Sequence, residues 1–135
     1  LEPPPLGEEI SIINKRSQNL YAELLLRRLG LARGTGSIAD GQALVEAMLA
    51  EAGVADAQVS LSDGSGMSSY NRVAPRGTVR LLSWIAKQPW ADEFRASLPV
   101  GGLDGTLRRR FAGTMLAGRI FAKTGTLNAT NALAG

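Results

Sequence analysis

The nine residues Arg119-Ile120-Phe121-Ala122-Lys123-Thr124-Gly125-Thr126-Leu127 constrain the fold of this chain more than any other stretch. A short apolar run leads into a lysine, a hydroxyl residue and a glycine. Such a segment reads as a strand over 119–123 whose final lysine stands beside an open sheet edge. Glycine has no Cβ, so a second backbone can approach closely at Gly125. The β-branched Thr124 suits a strand, and its hydroxyl can make a hydrogen bond. Read alone, Lys123 is an ordinary edge lysine of the kind that discourages aggregation.

Helices precede that strand. Pro5 can open a helix over 5–15, with Glu8 and Glu9 in its first turn and Lys15 and Arg16 near its end, as the helix dipole favours. Ile10, Ile12 and Ile13 form its apolar stripe. A second helix is expected from Asn19 to Leu29, with Leu20, Leu24 and Leu25 on one face and Gly30 as its stop. Asp40 can cap a third helix reaching Ala52, with Leu44, Val45, Met48 and Leu49 inward. Gln58–Leu61 alternates like a short strand, and Asp63-Gly64-Ser65-Gly66 has the composition of a turn. Pro75 opens a fourth helix to Gln88, with Val79, Leu82, Trp84 and Ile85 buried, and Pro89 ends it. A helical turn over 91–97 and a glycine-rich loop over 101–105 follow. A further strand is expected over 128–134. Helices followed by paired strands give an α+β fold.

Composition removes several chemistries. There is no cysteine, hence no disulfide and no thiolate metal site. There is no histidine, which excludes a Ser-His-Asp triad, a Cys-His dyad and His-ligated zinc within the chain. No metal or cofactor is expected. The longest apolar runs, such as Leu24-Leu25-Leu26, fall far short of the roughly 20 residues of a membrane span, and no signal peptide is visible. The net charge is +3. Its densest basic run, Arg108-Arg109-Arg110, has no interleaved aromatic residue and reads as a solvated face or helix terminus rather than a nucleic-acid patch.

Two further segments give Lys123-Thr124-Gly125 a context. Ser17-Gln18-Asn19 lies within Ile12-Ile13-Asn14-Lys15-Arg16-Ser17-Gln18-Asn19-Leu20-Tyr21-Ala22-Glu23, on a tight connection between two helices. Asp63-Gly64-Ser65-Gly66-Met67-Ser68 follows. In this order and spacing the three segments resemble the penicillin-binding protein 4 type D-alanyl-D-alanine carboxypeptidases/endopeptidases, peptidase family S13. The resemblance extends over nearly the whole chain. It implies a β-lactamase/transpeptidase-like domain with helices packed on an antiparallel sheet. Residues 1–135 would be the C-terminal portion of that penicillin-binding catalytic domain, truncated at both the nucleophile and the last strand.

The departure from the family is the nucleophile. No serine here has a lysine three positions on; Ser11–Lys15 and Ser83–Lys87 are spaced by four. The resemblance places the Ser-x-x-Lys serine upstream, so this chain alone is expected to be inactive.

The resemblance also implies roles. Ser17 would relay a proton to the leaving amine, and Asn19 would hydrogen-bond the substrate's acyl-side amide. Lys123 would attract the terminal carboxylate and help keep the upstream lysine neutral. Thr124 would hydrogen-bond that carboxylate, Gly125 would admit the substrate backbone, and the N–H near Thr126 would form half of an oxyanion hole. The expected partners are peptidoglycan stem peptides and β-lactams, without nucleic acid, in a periplasmic or cell-envelope location. Self-association through the incomplete sheet edge is a further expectation. The alternative is a non-catalytic binding or scaffold module of the same fold. Read singly, Ser17 or Asn19 would simply cap a helix, Asp63 and Ser65 would form a turn, and Trp84 and Trp90 would pack.

Overall fold

The computed structural model describes residues 4–128 and 130–135. The chain divides into two compact units, one made of the residues up to Gln18 with Pro89–Gly135, the other of Asn19–Gln88.

The second unit is built on two helices, α2 (Asn19–Leu31) and α3 (Ile38–Glu51). Their approach depends on glycine. A Cβ on Gly30 would sit 2.8 Å from the Ser37 carbonyl oxygen, and one on Gly41 would collide with the Leu26 carbonyl. Close backbone contact thus does the work that interdigitated side chains do elsewhere. Leu26 and Leu49 supply the buried apolar groups. Leu20 and Leu24 are instead 61% and 52% exposed, so the expected α2 face is displaced by about half a turn. Ser37, not Asp40, caps α3. Its hydroxyl accepts from the Asp40 amide, and Asp40 answers as the acidic partner of a capping box. Hydrogen bonds from the Thr35 hydroxyl and amide and from Ser37 hold the Asp40 carboxyl down at about 2.

Beyond α3, the short strands β1 (Val59–Ser60) and β2 (Arg72–Val73) pair antiparallel, Val59 opposite Val73. Asp63 organises the loop between them. It accepts from the Gly66 and Ser68 amides, the Ser65 hydroxyl and the Asn71 carboxamide, at 2.8 to 2.9 Å. Burial works to raise this carboxyl, and the hydrogen bonds led by Asn71 outweigh it and hold it below its ordinary value. This is the turn-forming reading of Asp63 and Ser65. Helix α4 (Pro75–Ile85) starts at the proline as expected and stops before Gln88. Ile85 is buried, but Val79 is 62% exposed.

In the first unit, α1 (Leu6–Arg16) packs on α5 (Ala91–Ser97) and on a 3-10 turn, Gly105–Leu107. Leu107 is fully buried, among a core that includes Leu98 and Ala122. Asn14 donates to the buried Ser97 hydroxyl at 2.8 Å. The strand expected over 119–123 is displaced. Phe121 makes a single bridge to Val100, while Ala122 donates to the Pro99 carbonyl and is 2% exposed. This apolar stretch is used to fill the core rather than to extend a ladder. The ladder starts at Lys123: β3 (Lys123–Leu127) pairs antiparallel with β4 (Thr130–Ala134), Lys123 opposite Ala134 and Leu127 opposite Thr130. Lys123 is therefore the first residue of its strand, not the last. Of the strand expected over 128–134, Asn128 lies before β4 and Ala129 lies outside the described residues.

Candidate active site

The site is built where the end of α1 meets the start of β3, both within the first unit. Helix α1 ends at Arg16 because Ser17 turns left-handed, with φ 56° and ψ 53°. The amides of Ser17 and Gln18 both donate back to the Ile13 carbonyl, satisfying the helix end. A left-handed conformation costs a residue with a Cβ roughly 1–2 kcal/mol. Such strain persists where the surroundings fix it, and here it turns the hydroxyl toward β3.

The Lys123 ammonium meets that hydroxyl. Nζ donates to Ser17 Oγ at 2.8 Å and to the Thr124 carbonyl at 2.7 Å. Both partners are neutral, and among the described residues the ion pairs are Lys15–Asp104 and Glu23–Arg27. Partial burial pushes the Lys123 ammonium below its ordinary value. A half-buried cation without a carboxylate attracts an incoming anion more strongly than a solvated one would.

The next residue extends the surface. The Thr124 hydroxyl donates to the Thr106 hydroxyl at 2.8 Å, joining β3 to the 3-10 turn. Gly125 has an ordinary strand conformation, and a Cβ there would meet only Ala132 Cβ, at 3.5 Å. Among the described residues, nothing around Gly125 demands glycine. The Thr126 hydroxyl donates to Asn131 Oδ1 across the hairpin at 3.2 Å.

The end of α1 is held independently. Lys15 Nζ donates to Asp104 Oδ2 at 2.6 Å and to the Leu98 carbonyl at 2.8 Å. The other Asp104 oxygen accepts from the Val100 amide at 2.7 Å. Desolvation works to raise Asp104, and the Lys15 and Val100 hydrogen bonds together with the Lys15 charge hold it below its ordinary value. Gly105 presses this turn against the helix, because a Cβ there would sit 2.8 Å from the Lys15 carbonyl oxygen.

Of the six residues singled out in the sequence, Ser17, Lys123 and Thr124 form one continuous hydrogen-bonded set, with Gly125 and Thr126 following along β3. Asn19 opens α2 in the second unit and is exposed. Sequence reasoning missed Thr106, Lys15 and Asp104. Lys15 carried only a helix-terminus signal, and Asp104 and Thr106 sat in and beside a glycine-rich loop. Among the described residues no cluster of acidic side chains could hold a metal, and no helix is long and apolar enough to cross a membrane.

A serine at a strained helix end thus meets a half-buried lysine at the head of a strand, on a mixed helix and antiparallel-sheet fold. Comparison with known proteins gives the family. The profile of the D-Ala-D-Ala carboxypeptidase 3 (S13) family matches residues 1–135, and the chain belongs to that family. It is 39% identical to the D-alanyl-D-alanine carboxypeptidase of Actinomadura sp. (strain R39), over 96% of this chain and 25% of that protein. It is 31% identical to D-alanyl-D-alanine carboxypeptidase DacB of Haemophilus influenzae, over 97% of this chain and 28% of that protein. The crystal structure of penicillin binding protein 4 (dacB) from Haemophilus influenzae, complexed with a β-lactam, superposes with a TM-score of 0.88 at 31% identity. That match covers 97% of this chain and 31% of the crystallised one. The chain thus spans between a quarter and a third of the length of these relatives.

Proposed function

We propose that these residues form the Ser17–Lys123 wall of the active site of a serine-type D-Ala-D-Ala carboxypeptidase/endopeptidase. It would act on peptidoglycan stem peptides and be acylated by β-lactams, in the periplasm or cell envelope. The observation that carries this reading is the 2.8 Å hydrogen bond from Lys123 Nζ to the Ser17 hydroxyl, 106 residues apart in sequence. It joins two of the segments through which the chain resembles the S13 family.

The nucleophile is a serine of a Ser-x-x-Lys element outside these 135 residues, since no serine here has that spacing. Its hydroxyl attacks the carbonyl of the D-Ala-D-Ala peptide bond and passes its proton to the adjacent lysine. The oxyanion that forms is held by backbone N–H groups, one of them near Thr126. As the C–N bond breaks, Ser17 relays a proton to the departing amine. Water then cleaves the ester and restores the serine.

Lys123 serves two steps. Its charge draws in the terminal carboxylate, which Thr124 hydrogen-bonds. The same charge disfavours a second ammonium nearby and so helps keep the nucleophile's lysine neutral. Asn19 holds the acyl-side amide. Gly125, where the fold leaves room for a Cβ, keeps that space for the substrate backbone. These 135 residues alone are inactive in this reading.

The test is the acylation rate of the full-length protein by penicillin, before and after Lys123→Ala. A fall of at least about 100-fold is expected, for loss of a charged group acting in both binding and proton transfer. An unchanged rate removes Lys123 from the site.

A further inference from the structure

We infer that the groove beside the 3-10 turn is an anion subsite, which takes a second carboxylate on the leaving-group side of the peptide substrate. The inference rests on the function proposed above and adds a substrate preference to it.

The groove is lined by Lys15, Arg16, Asp104, Thr106, Arg108 and Arg109. Lys15 and Asp104 neutralise each other at 2.6 Å. Arg16, Arg108 and Arg109 enter none of the ion pairs among the described residues. Three arginines from two separated segments therefore line one concave surface, whose one acidic residue among the described residues, Asp104, is taken up by Lys15. In sequence, Arg108-Arg109-Arg110 read as a solvated face; the fold brings two of its three members together with Arg16 from α1. A guanidinium presents planar paired donors that match a carboxylate.

Thr106 gives the groove its direction. It lines the groove, and its hydroxyl lies 2.8 Å from that of Thr124. Thr124 is the residue assigned to the terminal carboxylate of the leaving amino acid. The groove thus adjoins the position assigned to that carboxylate. A leaving residue that carries a second, side-chain carboxylate reaches it; a leaving D-alanine does not. No aromatic side chain lines the groove, which disfavours stacked bases of a single-stranded nucleic acid.

The test compares two peptides with the same acyl half, in which the leaving residue is D-glutamate or its neutral isostere D-glutamine. In the full-length protein the subsite predicts a kcat/KM ratio favouring D-glutamate by about tenfold or more. Arg108→Gln with Arg109→Gln brings that ratio close to unity, as does Arg16→Gln in part. Should a variant fail to fold, the unmodified protein still decides. The ratio must shrink between about 50 mM and about 500 mM salt, as screening of exposed guanidiniums requires. A ratio near unity at low salt, a ratio insensitive to salt, or a ratio unaltered in folded variants overturns the subsite. A penicillin adduct formed without any D-glutamate preference overturns the subsite alone. No adduct and no cleavage of either peptide overturns the proposed function and the subsite with it.

Discussion

Replacing Ser17 by glycine and by alanine separates the conformational role of this position from its chemical one. Ser17 sits at φ 56°, ψ 53°, where it ends α1. Both substitutions delete the hydroxyl that accepts from Lys123, so both lose the same hydrogen bond. They differ in backbone cost. A left-handed conformation costs alanine roughly 1–2 kcal/mol that glycine avoids. Against this, glycine gives the unfolded chain extra freedom, worth about 0.4–1 kcal/mol. The balance leaves Ser17→Gly as stable as Ser17→Ala or more stable, by up to about 1.6 kcal/mol. Denaturant unfolding of the full-length variants reads this as a difference in midpoint at constant slope. Penicillin acylation and peptide hydrolysis read the chemistry. Both variants are expected to lose about 100-fold or more in peptide hydrolysis, as for loss of a proton-relay group. A Ser17→Ala variant more stable than Ser17→Gly would refute the left-handed conformation. Wild-type hydrolysis by Ser17→Gly would refute the relay.

Gly125→Ala places a Cβ at ordinary contact distance from Ala132, 3.5 Å away. It should leave stability unchanged or raise it by up to about 1 kcal/mol, yet slow acylation; a variant acylated at the wild-type rate would show that no substrate backbone passes there. Asp104 is held below its ordinary value of 3.8 by Lys15 and the Val100 amide. A depressed carboxyl contributes stability that is complete above its unfolded value and is lost as pH falls through its folded one. Acid unfolding monitored below about pH 4 should therefore be less steep in Asp104→Asn, and an unaltered acid limb would show that the Lys15–Asp104 contact is not maintained in solution.

The local elements were legible in the sequence, and the burial faces much less so. Pro5 and Pro75 mark the starts of α1 and α4 because proline suits a first helical turn. The Ser17-Gln18 connection follows from the end of one helical pattern and the start of the next. Val79 was expected buried and Leu20 and Leu24 on the apolar face of α2, and all three are exposed; α2 meets α3 through Gly30, Gly41 and Leu26 instead. Hydropathy patterns do not register glycine contacts of this kind. The strand around Lys123 was displaced because an apolar run is equally compatible with a ladder and with a core-filling irregular segment. Ile120-Phe121-Ala122 is the second.

The candidate site shows the same division. Ser17, Asn19 and Lys123 were visible as residue types in order, but the Lys123–Ser17 hydrogen bond is a tertiary fact. Thr106 and the Lys15–Asp104 pair were invisible, since each depends on the 3-10 turn meeting the end of α1. A lone threonine after a glycine carries no periodic or compositional mark. The basic run was visible, but its company was not: Arg16 joins Arg108 and Arg109 only through the fold.

The central claim is that these residues serve an acyl-enzyme whose serine lies elsewhere in the protein. The most direct measurement is an intact-mass spectrum of the full-length protein after exposure to penicillin, with the modified peptide then sequenced. The account predicts a single covalent adduct on a serine outside residues 1–135, followed in sequence by a lysine three positions on. An adduct on Ser17 would contradict it by making Ser17 itself the nucleophile; no adduct at saturating penicillin would contradict it and favour a binding or scaffold module that keeps this architecture without the chemistry.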